Sequence, residues 1–142
     1  MKTEFKNKKV NYEYFIIDKI VGGIKLQGSE VKAIRLGKVS LTDTYCYLHN
    51  NELYLKGMYI GESNVAYSHT AIRDRKLLLK KREINKLYNE GLKGYTILPY
   101  RLFINDRGLV KVELVIGKGK KLWDKRETIK TRDLNRELKK EI

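Results

Sequence analysis

The sequence predicts a mainly β domain, a small antiparallel barrel with flanking helices, followed by a basic C-terminal tail. Three observations carry this reading. Short segments rich in aromatic and β-branched residues recur between turn signals, as at 12–21, 45–47, 53–55 and 109–116. A single Gly- and Pro-free stretch of good helix formers, 73–89, interrupts them. From Lys118 the character changes, with ten basic and five acidic side chains in residues 118–142. The 142 residues suit one ordinary domain, and 42% hydrophobic content can build a core without disulfide or metal. The expected organisation is a barrel over 1–117 and a tail over 118–142.

Taken in order, residues 12–21 (YEYFIIDKIV) and 24–27 read as two strands joined by a tight turn at Gly22-Gly23. Ser29 then caps a short helix with apolar positions at 31, 34 and 36, closed by Gly37. Val39, Leu41, Tyr45, Tyr47 and the Leu53-Tyr54-Leu55 run flank Asn50-Asn51, an amide pair suited to the positive φ angles of a hairpin turn. Residues 61–71 are polar and aperiodic, as in a surface loop. The stretch 73–89 places Leu77, Ile84, Leu87 and Tyr88 near one helical face ahead of Gly91. Beyond it, 95–98, 101–105 and 109–116 read as strands, with a turn at Asp106-Arg107-Gly108 and Pro99 limiting any ladder at its own position. Six or so short strands with one inserted helix and no internal repeat fit an oligonucleotide-binding-type barrel.

Charge points to the partner. Thirty-one Lys and Arg against 17 Asp and Glu give a formal net charge of +14, and most of the excess lies beyond residue 70. Such a field attracts polyanions and releases their counterions on binding, so nucleic acid is the expected partner; a merely solubilising lysine surface is the alternative. Arg73, Arg75, Lys76, Lys80, Lys81, Arg82 and Lys86 place seven cations within fourteen residues, and on a helix they would form a face able to track phosphates. Ten tyrosines offer stacking surfaces, although most are expected to serve packing. Glu30, in the first turn of the short helix, suits the helix dipole; in an RNA binder it could also accept hydrogen bonds from base amino or imino groups.

Several chemistries are set aside. The single Cys46 forms no internal disulfide, and one cysteine with His49 and His69 gives no zinc spacing, so neither metal nor cofactor is expected. Gly117-Lys118 and Gly119-Lys120 lack the glycine spacing and the Ser or Thr of a phosphate-binding loop. Neither histidine stands near a nucleophile or carboxylate in a catalytic pattern, so no enzyme is expected; an RNA hydrolase using scattered carboxylates and His69 is the competing class. Apolar runs such as Leu77-Leu78-Leu79 are far too short to cross a bilayer. The basic first ten residues lead into Asn11-Tyr12-Glu13, not an apolar stretch, so a cytoplasmic monomer with no membrane partner is expected.

Four blocks together resemble the SsrA-binding protein (small protein B, SmpB) family, the bacterial partners of transfer-messenger RNA. They are Asn7-Lys8-Lys9 with Tyr14-Phe15-Ile16, then 26–32 (LQGSEVK), 73–79 (RDRKLLL) and 119–126 (GKKLWDKR), in the family's order. The resemblance implies a barrel that binds the transfer-RNA-like domain of transfer-messenger RNA and delivers it to stalled ribosomes for trans-translation. The tail would probe the empty messenger channel next to the small-subunit decoding region. By motif, Asn7, Glu30, Lys32, Arg73, Arg75, Lys76, Leu77, Lys118, Gly119, Lys120 and Lys121 fall on the RNA-binding side. Trp123, Asp124, Lys125 and Arg126 fall on the ribosome-facing side, and the tail cations Lys130, Arg132, Arg136, Lys139 and Lys140 would meet phosphates in the channel, where the tail would become helical. Where the family often carries His or Tyr this chain has Trp123, for which base stacking is the economical role. A general ribosomal or single-stranded RNA-binding barrel would explain the charge but not the four blocks.

Overall fold

The computed structural model describes residues 3–61 and 69–120. Nine strands and three helices follow in chain order among them: β1 (Glu4–Lys6), α1 (Lys9–Glu13), β2 (Tyr14–Ile24), α2 (Gly28–Arg35), β3 (Val39–Ser40), β4 (Tyr45–His49), β5 (Glu52–Lys56), β6 (Tyr59–Ile60), β7 (Arg75–Leu78), α3 (Lys81–Leu92), β8 (Thr96–Ile104) and β9 (Val110–Gly119). Seven strands form one antiparallel sheet in the order β1-β8-β9-β2-β7-β5-β4, and β3 pairs with β6 separately. The mainly β, antiparallel class is as expected, but the sheet is open. No ladder joins β4 to β8 among the described residues; α3 places Leu87 in that seam, so side-chain packing closes the core there.

The core lies on one face of the sheet. Ile24, Leu53, Leu55, Leu77, Leu102, Val112, Leu114 and Ile116 point inward from five strands and meet Ile34 of α2, Met58 and Leu87 of α3 in one buried cluster. The period of two along each strand is what the pleat requires when one face is buried.

Several local expectations change. Gly22 and Gly23 do not turn the chain; they continue β2, which runs unbroken from Tyr14 to Ile24 beside β9. A Cβ on Gly22 would lie 2.4 Å from Leu79 Cδ2, so the glycine serves close approach of the Leu79 side chain. The stretch expected to be one helix from 73 splits into strand β7 and, after Lys80, helix α3. Val39 leaves the second hairpin and pairs with Ile60 instead. The segments expected at 95–98 and 101–105 merge into β8, whose register shifts between Pro99 and Arg101, where proline has no N–H to donate. Helix α2 is capped from Gln27, not Ser29: the Gln27 N–H donates to Glu30 Oε1 at 2.8 Å, one half of a capping box. The Ser29 hydroxyl instead meets His69 Nδ1 at 2.8 Å, and His69 Nε2 lies 3.1 Å from the Ile60 carbonyl, a buried structural histidine.

The Asn50-Asn51 hairpin forms as expected, with φ of 50° and 61° at the two residues and β4 paired to β5 from Tyr45↔Lys56 to His49↔Glu52. Gly57, immediately after β5, has φ +92°, and a Cβ there would lie 2.8 Å from the Asp43 carbonyl oxygen. Gly57→Ala is therefore expected to cost on the order of 1–3 kcal/mol. Urea unfolding should show a lower midpoint at unchanged slope; a midpoint equal to the parent's would refute the constraint.

Candidate nucleic-acid interface

Strand register lays out the face opposite the core. Lys6 stands beside Arg101, Arg101 beside Glu113, and Glu113 beside Val21. One step along, Phe103, Lys111, Gly23 and Leu78 form a second cross-strand row, and Lys76, Tyr54 and Tyr47 a third. Aromatic rings and cations interleave on this face: Lys19 Nζ lies 5.4 Å from the Tyr100 ring centre, and the Arg101 guanidinium lies 4.3 Å from that of Phe103. Carboxylates temper the charge, since Arg101 pairs with Glu4 and Glu113, and Lys76 pairs with Glu52.

Strands β2 and β7 pair only at Gly23↔Leu78 and Ile24↔Leu77 and then diverge. The gap is a cleft of about 530 Å³ lined by Val21, Gly22, Gly23 and Leu78, by Lys76, Lys80 and Lys111, and by the carboxylates of Glu52 and Glu83. Val21 and Leu78 remain about half exposed there, an apolar stretch bordered by charges of both signs with lysine in excess. At the far end of β2, Lys118 stands beside Phe15, and Lys120 Nζ sits 4.8 Å from the Phe15 ring centre. From Phe15 to Ile24 an extended strand covers roughly 30 Å, so the basic groups of the sheet are strung along β2.

The residues expected at the RNA side divide accordingly. Lys32, Lys118 and Gly119 are exposed, and Lys76 and Lys120 are partly so. Lys118 and Gly119 belong to β9, two residues past the boundary expected at 117. Asn7 is partly buried, and its amide donates to the Leu41 carbonyl at 3.3 Å, tying the β1–α1 junction to the segment after β3.

Glu30, Arg75 and Leu77 have no exposed surface. The Arg75 Nε donates to Glu30 Oε2 at 2.5 Å, and its other nitrogens donate to the carbonyls of Met58 and Ala71. The Arg73 guanidinium donates to Glu30 Oε1 at 2.5 Å from a partly exposed position. Burial would raise the Glu30 carboxyl's pKa, but the hydrogen bonds from Arg73, the Gln27 N–H and Arg75 outweigh it and hold the group below the usual carboxylate range. Glu30 thus ties α2 to β7 and offers no free oxygen to a base, while Leu77 is core. The seven cations expected on one helical face are scattered between β7, α3 and the interior, because residues 75–78 are strand. Lys86 of α3 pairs with Asp18 of β2.

Sequence reasoning missed Lys19, Tyr100, Arg101, Phe103 and Lys111. For Arg101, Phe103 and Lys111 the signal was the alternation of cationic or aromatic with apolar residues along 101–103 and 110–114, which marks opposite faces of a strand. Lys121, Trp123, Asp124, Lys125, Arg126, Lys130, Arg132, Arg136, Lys139 and Lys140 lie outside the described residues.

An antiparallel sheet with one buried face and one face of interleaved aromatics and cations defines a small protein of the nucleic-acid-binding class. The comparisons agree. A family model described as SmpB protein matches residues 4–142. Similar curated relatives include the SsrA-binding proteins of Phocaeicola vulgatus, 49% identical over 136 residues and covering 94% of this chain and 91% of the relative. That of Bacteroides thetaiotaomicron is 48% identical over 140 residues, covering 96% and 93%. A solved structure described as "tmRNA-SmpB: a journey to the center of the bacterial ribosome" has a TM-score of 0.71 at 35% identity, covering 85% of this chain and 87% of that one. The chain belongs to the SmpB protein family.

Proposed function

We propose that this chain binds the transfer-RNA-like domain of transfer-messenger RNA and carries it to stalled ribosomes for trans-translation. It works as a cytoplasmic binding factor and not as an enzyme. The observation that carries the reading is the run of basic and aromatic side chains along β2, from Lys118 and Lys120 at one end to Lys111 and the β2–β7 cleft at the other, in a chain similar throughout to proteins named for binding SsrA. Asn7, Lys32, Lys76, Lys118, Gly119, Lys120 and Lys121 are the groups assigned to that RNA. Trp123, Asp124, Lys125, Arg126, Lys130, Arg132, Arg136, Lys139 and Lys140 are assigned to the ribosome, at the decoding region and messenger channel. Glu30, Arg75 and Leu77 support the interface from within; Arg73 holds Glu30 and lies at its edge.

Phosphate contacts dominate such binding, so affinity for the transfer-RNA-like domain is expected to fall about a hundred-fold or more between 50 and 200 mM salt. The measurement is filter binding across a salt series, with bulk transfer RNA as competitor. A flat salt series would refute the electrostatic basis, and equal competition by bulk transfer RNA would leave a general RNA-binding sheet in place of the specific partner.

A further inference from the structure

A second, smaller cleft, of about 350 Å³, opens on the same face but nearer its β4 edge, lined by Lys25, Leu26, Gln27, Tyr54, Arg73, Asp74 and Lys76. We propose that this cleft is a subsite for one unpaired RNA nucleotide, its base stacked against Tyr54 and its phosphate held by Lys25 and Lys76. The inference rests on the RNA-binding reading above and extends that interface from Lys76 of β7 across β5 to β4.

Three features fit this ligand. Tyr54 and Tyr47 are directly opposite across the β4–β5 ladder and already stack, with ring centres 5.4 Å apart and planes 16° from parallel, so a base at Tyr54 would prolong an existing stack. Lys25 is exposed and makes no ion pair among the described residues, and Lys76 holds only a partly exposed partner, Glu52, at 3.5 Å, so both cations can turn to a phosphate at small cost. The one carboxylate lining the cleft, Asp74, accepts a hydrogen bond from the Tyr47 hydroxyl at 2.6 Å. The 2.6 Å geometry holds Asp74 toward the ring pair, and that bond chiefly, with burial, pushes the Tyr47 hydroxyl up to about 12. Arg73 donates to Glu30 and to the Asp74 carbonyl, and its Nε is buried without a partner among the described residues, so it acts on the cleft through its field. Cross-strand register places Lys76, Tyr54 and Tyr47 in one row, adjoining the row that contains Lys111 and Gly23, so a strand of RNA on the larger cleft runs naturally onto this one.

The test uses the full chain with two probes, hexacytidylate and the folded transfer-RNA-like domain. Tyr54→Leu should weaken hexacytidylate binding about ten-fold, in keeping with loss of one stacked base, while Tyr54→Phe keeps the parent affinity. Lys25→Ala should make the salt dependence shallower by about 0.7 in log–log slope, one phosphate on a single strand. Melting curves establish that each variant is folded; if Tyr54→Leu is not, Tyr54→Phe and Lys25→Ala decide. Parent-like hexacytidylate affinity in folded Tyr54→Leu, or equal losses in the Phe and Leu variants, or an unchanged slope in Lys25→Ala, would overturn the subsite. If the folded domain still binds with steep salt dependence in that case, the subsite alone is wrong; if the parent chain binds neither probe, the RNA reading falls with it.

Discussion

Glu30→Ala is expected to lower the melting temperature by about 10 °C or more. The carboxylate is fully buried and receives hydrogen bonds from Arg73, Arg75 and the Gln27 backbone. Its removal leaves the fully buried Arg75 guanidinium, which does not give up its proton, without a counter-charge. Breaking a buried pair by deleting one partner costs about 3–5 kcal/mol, and for a chain of this size each kcal/mol moves the midpoint by roughly 3 °C. The cost should be smaller in Glu30→Met with Arg75→Met, because removing both fully buried charges avoids the buried orphan; what is lost is the bonds to the Met58 and Ala71 carbonyls and the Glu30 bonds to the Gln27 N–H and to the partly exposed Arg73. Thermal melts by circular dichroism of the parent, the single variant and the pair make the comparison. A single variant as stable as the parent would show that Glu30 does not hold α2 to β7.

The same carboxylate sets an acid limit. Its pKa is depressed in the folded state, so the unfolded chain binds the extra proton first as pH falls. The stability contributed by Glu30 is therefore complete above the ordinary carboxylate range and is lost as pH drops through the depressed folded value. Melting temperature in the parent should fall across that acid window, and the Glu30→Ala variant should show a flatter profile there. Parallel profiles would assign the acid sensitivity to other groups.

Deletion of Glu127–Ile142 is expected to abolish peptide tagging on ribosomes stalled without message while leaving affinity for the transfer-RNA-like domain within a few-fold. On the proposed reading, that RNA is held along β2 and by the Lys118–Lys121 segment, which the deletion spares. The removed segment holds Lys130, Arg132, Arg136, Lys139 and Lys140, the cations assigned to the messenger channel. Filter binding and a tagging assay on truncated message read the two effects separately. A large loss of RNA affinity would mean that body and tail do not divide the work in this way, and full tagging would remove the tail from ribosome engagement.

How much of this was legible beforehand differs from element to element. The Asn50-Asn51 hairpin and helix α2 were readable because their signals are local: an amide pair that tolerates positive φ, and apolar spacing ahead of Gly37. Residues 73–80 were not, because Arg75-Lys76-Leu77-Leu78 has good helix formers yet sits between β2 and β5, where a ladder on each side and the Glu30–Arg75 bond outweigh propensity differences of a few tenths of a kcal/mol per residue. The Gly22-Gly23 pair misled for the reverse reason. Glycine is a turn signal in isolation, but here the missing side chain admits Leu79 beside a strand that continues.

The sequence alone therefore determined the antiparallel β class, the net charge of +14, the basic character of residues 118–142 and the four blocks that carry the resemblance to the family. These depend on composition, short-range pattern and order along the chain, which survive without knowledge of contacts. Only the tertiary structure decided which charges are available to RNA. Glu30 and Arg75 cancel one another inside the protein, whereas Lys19, Lys111 and Lys76, far apart in the chain, come onto one face through β9-β2-β7 pairing. Whether a charged group meets a phosphate or a buried partner is settled by non-local register and burial, and neither is written in the spacing of neighbouring residues.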